Sequence, residues 1–361
     1  MKRIFTVLMI TIFTVLSCSE KKKGTNKKDE IEVENENKTD TEIKISNLET
    51  SDTLNSIGYS DLDNQTTYTK ELDLFWIRIM EGKLNKKVGF ISLSDIYPLS
   101  ENQDSLAIPN IENLDNNTIQ YFKLNSTYRK RLLSKTNISE TDSVFIYDYS
   151  KDVLLSFSVN KLNAVACLND YMDIKDCPCN QIDYMIGFEV ANNSLNRLGE
   201  YFSDALVFIG KENPFTRGQM KPIIWKKIKT EKFPLEKSQL TEVQKKCKNQ
   251  NAIKGQAYLS ETDKYHIFIQ DYILSNTNMV LEDRHLIVFD KKLESIVHET
   301  LFSSSEGSSI SLIGDQWTGS LFKNKPDVIF GFEDVSFGCP TIDFINSKDN
   351  IYVQINCDNR H

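Results

Sequence analysis

The sequence predicts a mainly β body with one or two helices, its antiparallel hairpins forming a sandwich pair or an irregular propeller. Three observations predict it. Short runs rich in β-branched and aromatic residues, such as Val144-Phe145-Ile146-Tyr147 and Tyr184 to Val190, succeed one another across brief polar breaks, the pattern of hairpin-linked strands. One segment, from Asn117 to Lys135, repeats its apolar residues at helical spacing. Hydrophobic residues make up 40% and aromatics 10% of the 361 residues, while glycine numbers 14 and proline 8. That composition supports a large core and excludes collagen-like or glycine-rich repeats.

The elements follow in order. Leu72, Leu74, Trp76, Ile77 and Ile79 precede a turn at Glu81-Gly82-Lys83, and Val88-Gly89-Phe90-Ile91 follows, which predicts a β-hairpin. The stretch from Phe75 to Ile91 resembles the last hairpin of a bacterial SH3-like domain, although the residues upstream do not continue that pattern. In the predicted helix, Asn117 caps the start with Gln120 three residues on. Tyr121, Leu124, Tyr128 and Leu132 form its apolar stripe, and Arg129, Lys130, Arg131 and Lys135 suit the negative end of its dipole. Strands are then expected at Val144–Tyr147, Leu154–Val159, Ala164–Leu168, Tyr184–Val190 and Ala205–Ile209, with another at Ile223-Ile224-Trp225. The charged stretch 230–252, with a short helix from Ser238 through Cys247, is where the body would divide. Beyond it come Tyr265–Leu274, Leu286–Asp290, Ser295–Phe302, Ile310–Ile313, Ile342–Phe344 and Ile351–Ile355.

The first residues carry an address. Lys2 and Arg3 precede a charge-free run from Ile4 to Leu16, which suits a signal peptide and is too short for a bilayer span of about 20 residues. The run ends in Val15-Leu16-Ser17-Cys18 and resembles the lipobox of bacterial lipoproteins. The resemblance implies removal of residues 1–17, lipid on Cys18, and attachment to the bacterial cell envelope. By resemblance to enterobacterial lipoproteins, Ser19 directly after the cysteine implies the outer membrane. Residues 18–60 contain ten acids and seven lysines after Cys18, with Tyr59 their first aromatic, the composition of a disordered tether. The body is then 61–361. The net charge of −8 and pI near 5.3 argue against nucleic acid as a partner.

Six cysteines remain once Cys18 is set aside: Cys167, Cys177, Cys179, Cys247, Cys339 and Cys357. An even number in an oxidising compartment predicts disulfides. Cys177-Pro178-Cys179 is too tight to bridge itself readily, so these two are expected to join Cys167 and Cys247. Thiolates this dense also suit zinc, but no histidine follows at ligand spacing, and no metal or other cofactor is expected. Cys339 and Cys357 lie nine residues either side of Lys348, at the turn Ser347-Lys348-Asp349-Asn350. A symmetric register would place them opposite each other. Matching the apolar face of Ile342 and Phe344 to that of Ile351, Val353 and Ile355 instead requires a shift of one residue. A bulge at Gly338 or Pro340 reconciles the two requirements.

No compact catalytic motif appears: H-E-x-x-H, G-x-S-x-G and G-x-x-x-x-G-K-[ST] are all missing. The histidines are His266, His285, His298 and His361. Glu282-Asp283-Arg284-His285 reads as a polar turn before the strand at Leu286. Asn213-Pro214-Phe215 reads as a loop anchoring its aromatic in the core. Trp76, Trp225 and Trp317 are expected in the core too, although any of them could stack on a sugar. The function this favours is a non-catalytic binding or structural module, joined to the membrane through lipid on Cys18, with a protein or glycan as its ligand. An envelope hydrolase acting on carbohydrate or ester through carboxylates that no motif reveals is the alternative, and a metal module at Cys177–Cys179 a third.

Overall fold

The structure is a computed structural model that describes residues 67–68, 72–81, 87–97, 99, 106–112, 114–169, 171–172, 175, 179–241, 252–274, 281–346 and 351–358. The lipobox, the tether, Cys177 and Cys247 lie outside the described residues. So do turn residues 82–86 and 347–350, and most of the helix expected after Ser238. No helix among the described residues is long and apolar enough to cross a membrane.

The apolar run after residue 70 switches sheets at Ile77. β2 (Leu74–Trp76) pairs with β10 (Ala205–Gly210), which continues through β6 (Ser143–Asp148) to β7 (Val153–Ser158). One residue further on, β3 (Arg78–Glu81) pairs instead with β4 (Lys87–Ser92), giving the expected hairpin. That hairpin belongs to a second sheet, ordered β3, β4, β9 (Tyr184–Ala191), β8 (Asn163–Leu168) and β5 (Tyr121–Lys123). Alternate residues of the two sheets meet in one core: Phe75, Val144, Ile146 and Val207 from the first, Ile91, Ala166, Ile186 and Phe188 from the second.

The predicted helix is broken in two. α1 (Asn116–Ile119) is a single turn, Tyr121–Lys123 becomes edge strand β5, and α2 (Ser126–Thr136) starts afresh. Tyr121 pairs with Cys167 and Lys123 with Val165, so the stripe residues Tyr121 and Leu124 are held by the sheet. The working cap is Asn125, whose side chain accepts from the backbone N–H of Thr127 and of Tyr128. Asn137, at φ 59°, closes the helix.

The first sheet does not end at β2. It continues through β22 (Ile351–Asn356), β21 (Thr341–Phe344), β19 (Val328–Phe330) and β18 (Trp317–Gly319) to β11 (Met220–Pro222), while β1 (Thr67–Tyr68) adds to β22 in parallel. The sheet curls, bringing Leu74, Phe145, Tyr147 and Leu206 against Phe322, Ile342, Phe344 and Val353. β2, β6 and β10 are therefore buried on both faces, which is why their residues are apolar without alternation. Phe215 sits in this core at 1% exposure, stacked on Phe322, as its loop predicts.

A third sheet is a meander of β12 (Lys226–Ile228), β13 (Ala252–Glu261), β14 (Tyr265–Leu274), β15 (Leu281–Asp290) and β16 (Ser295–Ser303). It lays Ile267, Ile269, Leu286 and Val288 over Ile223, Ile329, Phe332 and Ile345. β17 (Ser308–Ile310) and β20 (Glu333–Val335) pair with each other as a separate short ribbon. Two expectations change here. Glu282 to His285 form no turn: they are the first half of β15, and Asp283, Arg284 and His285 are buried. Ile223 to Trp225 form no strand: they link β11 to β12, with Ile223 in the core and Ile224 exposed.

Candidate functional site

The curled sheet, the β17–β20 ribbon and Phe302 of the meander enclose a cleft of about 550 Å³. Its wall is fixed by backbone and amide contacts. Gln316, fully buried, donates to the carbonyls of Leu312 and Gly331 and accepts from Gly314 N–H and Trp225 Nε1–H. All four capacities of the amide are used, which pins residues 312–316 to the end of β19. Gly331 has φ +89°, and a Cβ there would lie 2.4 Å from the Asp315 carbonyl oxygen, so this approach requires glycine. Ser311 N–H donates to the Phe332 carbonyl, and the Ser311 carbonyl accepts from Arg284. The opposite rim carries Ser203 and Asp204, directly after Tyr201 and Phe202, both held at positive φ. Such strained backbone needs surrounding structure to hold it, and Asp148 does part of this by accepting from Gly199 N–H at 2.7 Å.

Five carboxyl side chains line the cleft: Asp204, Asp315, Glu333, Asp334 and Asp343. Asp343 pairs with Ile329 in the ladder and so faces the same side as that core residue, toward the meander. Desolvation by burial, with the nearby Glu333 charge, pushes its carboxyl up to about 7. Burial raises Glu333 also, although Ser308 Oγ donates to it at 3.2 Å and lowers it in part. His298, on β16, holds its Nε2 3.8 Å from an Asp343 oxygen. Burial lowers His298 to about 4, so it stands beside Asp343 as a neutral ring, and its Nδ1 has no hydrogen-bond partner among the described residues.

Aromatic rings complete the cleft. Tyr149 packs edge-on against Trp317 at 5.1 Å and Phe330 at 5.3 Å, and its hydroxyl reaches Asp204 at 3.5 Å. Burial first, then the Asp204 charge, raises its phenol. Trp225 is packed as expected, edge-on to Phe332, and Trp317 is partly buried beside Tyr149. Trp76 is the exception, 43% exposed. It lines this cleft and also a neighbouring cavity of about 390 Å³ that holds Arg78 and Asp358.

The cysteines fall into three groups. Cys339 and Cys357 are joined, with 5.6 Å between their Cα atoms, and each lines one of the two cavities. Cys179 is disulfide-bonded. Cys167 is corrected: it is a thiol, not half of a bridge. Its mid-strand position on β8 turns it into a cluster with Phe90, Tyr121, Val165 and Met185, 3.7 Å from Met80 Sδ. The described residues hold no group of three or more His, Cys, Asp or Glu placed to share a metal ion.

His285 and Glu299 make a second buried constellation, on the other face of the meander. His285 Nε2 lies 2.7 Å from Glu299, which also accepts from Ser238 Oγ and Gln239 N–H. Phe233 packs on the His285 ring at 5.0 Å. These contacts clamp the segment after β12 onto the sheet. The carboxylates of the cleft come from four separated chain segments and carry no motif. Trp76 was visible in the sequence only as one of three tryptophans. No protein family, curated protein or solved structure matches the chain.

Proposed function

We propose that the chain is a lipid-anchored envelope protein whose body is a non-catalytic binding module, capturing a small ligand in the cleft beside Trp76. The observation that carries this is Trp76 itself, left 43% exposed while the other two tryptophans are packed. An uncovered indole at the junction of two cavities is a surface for a ligand's apolar or cationic face. The cleft volume lies within the usual range for small-molecule sites. The lipobox at Cys18 and the polar composition of residues 19–60 support attachment to the outer membrane through lipid, with the body held off its surface. The test is thermal unfolding of the full chain against a panel of neutral oligosaccharides, amino acids and amines. A saturable stabilisation that Trp76→Ala abolishes is the expected result. Stabilisation unchanged in Trp76→Ala, or none with any compound, sinks the reading.

One observation favours a second reading, an envelope hydrolase. Glu333 and Asp343 share the cleft, and both hold their protons above the ordinary carboxylate range, as a general acid must. Turnover of a glycoside or ester that disappears in Asp343→Asn and Glu333→Gln would establish it.

A further inference from the structure

We infer that the cleft takes an aliphatic polyamine, a flexible chain with ammonium groups that the wall carboxylates receive while the aromatic rings hold its methylenes and charge. This rests on the binding reading of the same cleft and names the class of ligand.

The cleft's charge is one-sided. Asp204, Asp315, Glu333, Asp334 and Asp343 line it, and no lysine, arginine or histidine among the described residues does. Asp343 is the sharpest case. No hydrogen bond reaches its carboxyl from the described residues, and beside it stand the neutral ring of His298 on β16, the acid Glu333 on β20 and its ladder partner Tyr352 on β22. A desolvated carboxylate without a donor or counter-charge is costly. A cationic ligand supplies both.

The nature of the cation follows from two further observations. The described residues hold no group of three or more acidic or metal-ligating side chains placed to share one ion. The carboxyls are spread along the wall, which suits separated charges better than a single divalent ion. The cleft also presents Trp76, Tyr149 and Phe330. Aromatic faces attract organic ammonium groups and pack against methylenes, and a hydrated metal ion gains little from them. Arg78 in the neighbouring cavity, 3.8 Å from Asp358, limits the cationic site to the larger cleft.

Isothermal titration of the full chain with spermidine tests this, with calcium chloride and the neutral sugar N-acetylchitotriose as separate probes. Saturable spermidine binding is expected, weakened about tenfold by Asp343→Asn, as for loss of a charge-assisted contact, and weakened also by Trp76→Ala. Affinity should rise from about pH 5.5 to about pH 8 in the wild type, as Asp343 ionises near 7, and rise less in Asp343→Asn. Circular dichroism checks that each variant is folded, and Glu333→Gln gives a second, independent loss if Asp343→Asn fails to fold. Absence of spermidine binding overturns the inference, as does binding that survives all three substitutions or that calcium displaces at equal concentration. Trp76-dependent binding of N-acetylchitotriose without spermidine binding overturns it too, but leaves the binding reading of the cleft standing.

Discussion

Cys339 and Cys357 are bridged although the ladder beside them runs one residue out of their register. Ile342 pairs with Val353 and Asp343 with Tyr352, so the same ladder carried outward would set Cys339 opposite Asn356. The apolar faces win inside the hairpin, where Ile342 and Val353 enter one core. Outside it the ladder stops at Pro340, which accepts from Ile355 N–H but has no N–H to return. Gly338, at φ +100°, then turns the chain so that the sulfurs meet. Replacing both cysteines with alanine should lower the unfolding free energy by about 3 kcal/mol, the chain-entropy value for a loop of this size. Urea denaturation measures it, and a loss below about 1 kcal/mol would show that the bridge adds little to the ladder.

That hairpin was legible because its signals are local: a polar turn, an apolar period of two, a glycine and a proline. The same holds for β6, β8, β9, β10 and β14, whose β-branched and aromatic runs mark them directly. β13 was not legible, since Lys254, Gly255 and Gln256 interrupt it and its neighbours β12 and β14 hold it in place. The start of β15 misled for a physical reason. Its four polar residues look solvated, yet Asp283 accepts from Ser303, Arg284 donates to Asp271 and His285 meets Glu299. Polar residues are admitted to an interior when partners satisfy them, and these partners come from other strands. The cleft was illegible on the same ground: Asp204, Asp315, Glu333 and Asp343 converge only through the curl of the long sheet and the fold of the ribbon.

The anchor prediction is read by fractionation. Cys18→Ser should move the protein from the membrane pellet to the soluble envelope fraction, because the lipid on the sulfur is lost. A variant that stays in the pellet until detergent is added contradicts the lipobox reading.

Arg284 and Asp271 predict a strong asymmetry between single and double substitutions. The Arg284 side chain is 3% exposed, with its Nε 2.8 Å from Asp271 and its Nη1 on the Ser311 carbonyl. Asp271→Ala leaves the guanidinium buried without its counter-charge and should cost about 3–5 kcal/mol. Asp271→Leu combined with Arg284→Met removes both charges and should recover most of that loss. Guanidinium unfolding of the three proteins checks it, and a double variant as unstable as Asp271→Ala would mean the pair's geometry, rather than its charge balance, holds the meander to the cleft wall.

His298 and Asp343 predict opposing pH dependences from neighbours 3.8 Å apart. Burial lowers His298 from 6.5 to about 4. Between those values the unfolded chain binds a proton that the folded chain refuses, so stability falls as pH drops from about 6.5 to about 4. Asp343 is raised from 3.8 to about 7. Across that window the folded chain keeps a proton that the unfolded chain has released, so stability falls as pH rises from about 4 to about 7. The two slopes oppose each other in the wild type, and single substitutions should separate them. His298→Gln should remove the acid-side loss, leaving a protein that gains stability relative to wild type as pH drops toward 4. Asp343→Asn should remove the alkaline-side loss, leaving a protein that gains relative to wild type as pH rises from about 4 to about 7. Urea midpoints at several pH values test both. Parallel curves for wild type and Asp343→Asn would show that this carboxyl ionises in the folded protein no less readily than in the unfolded chain.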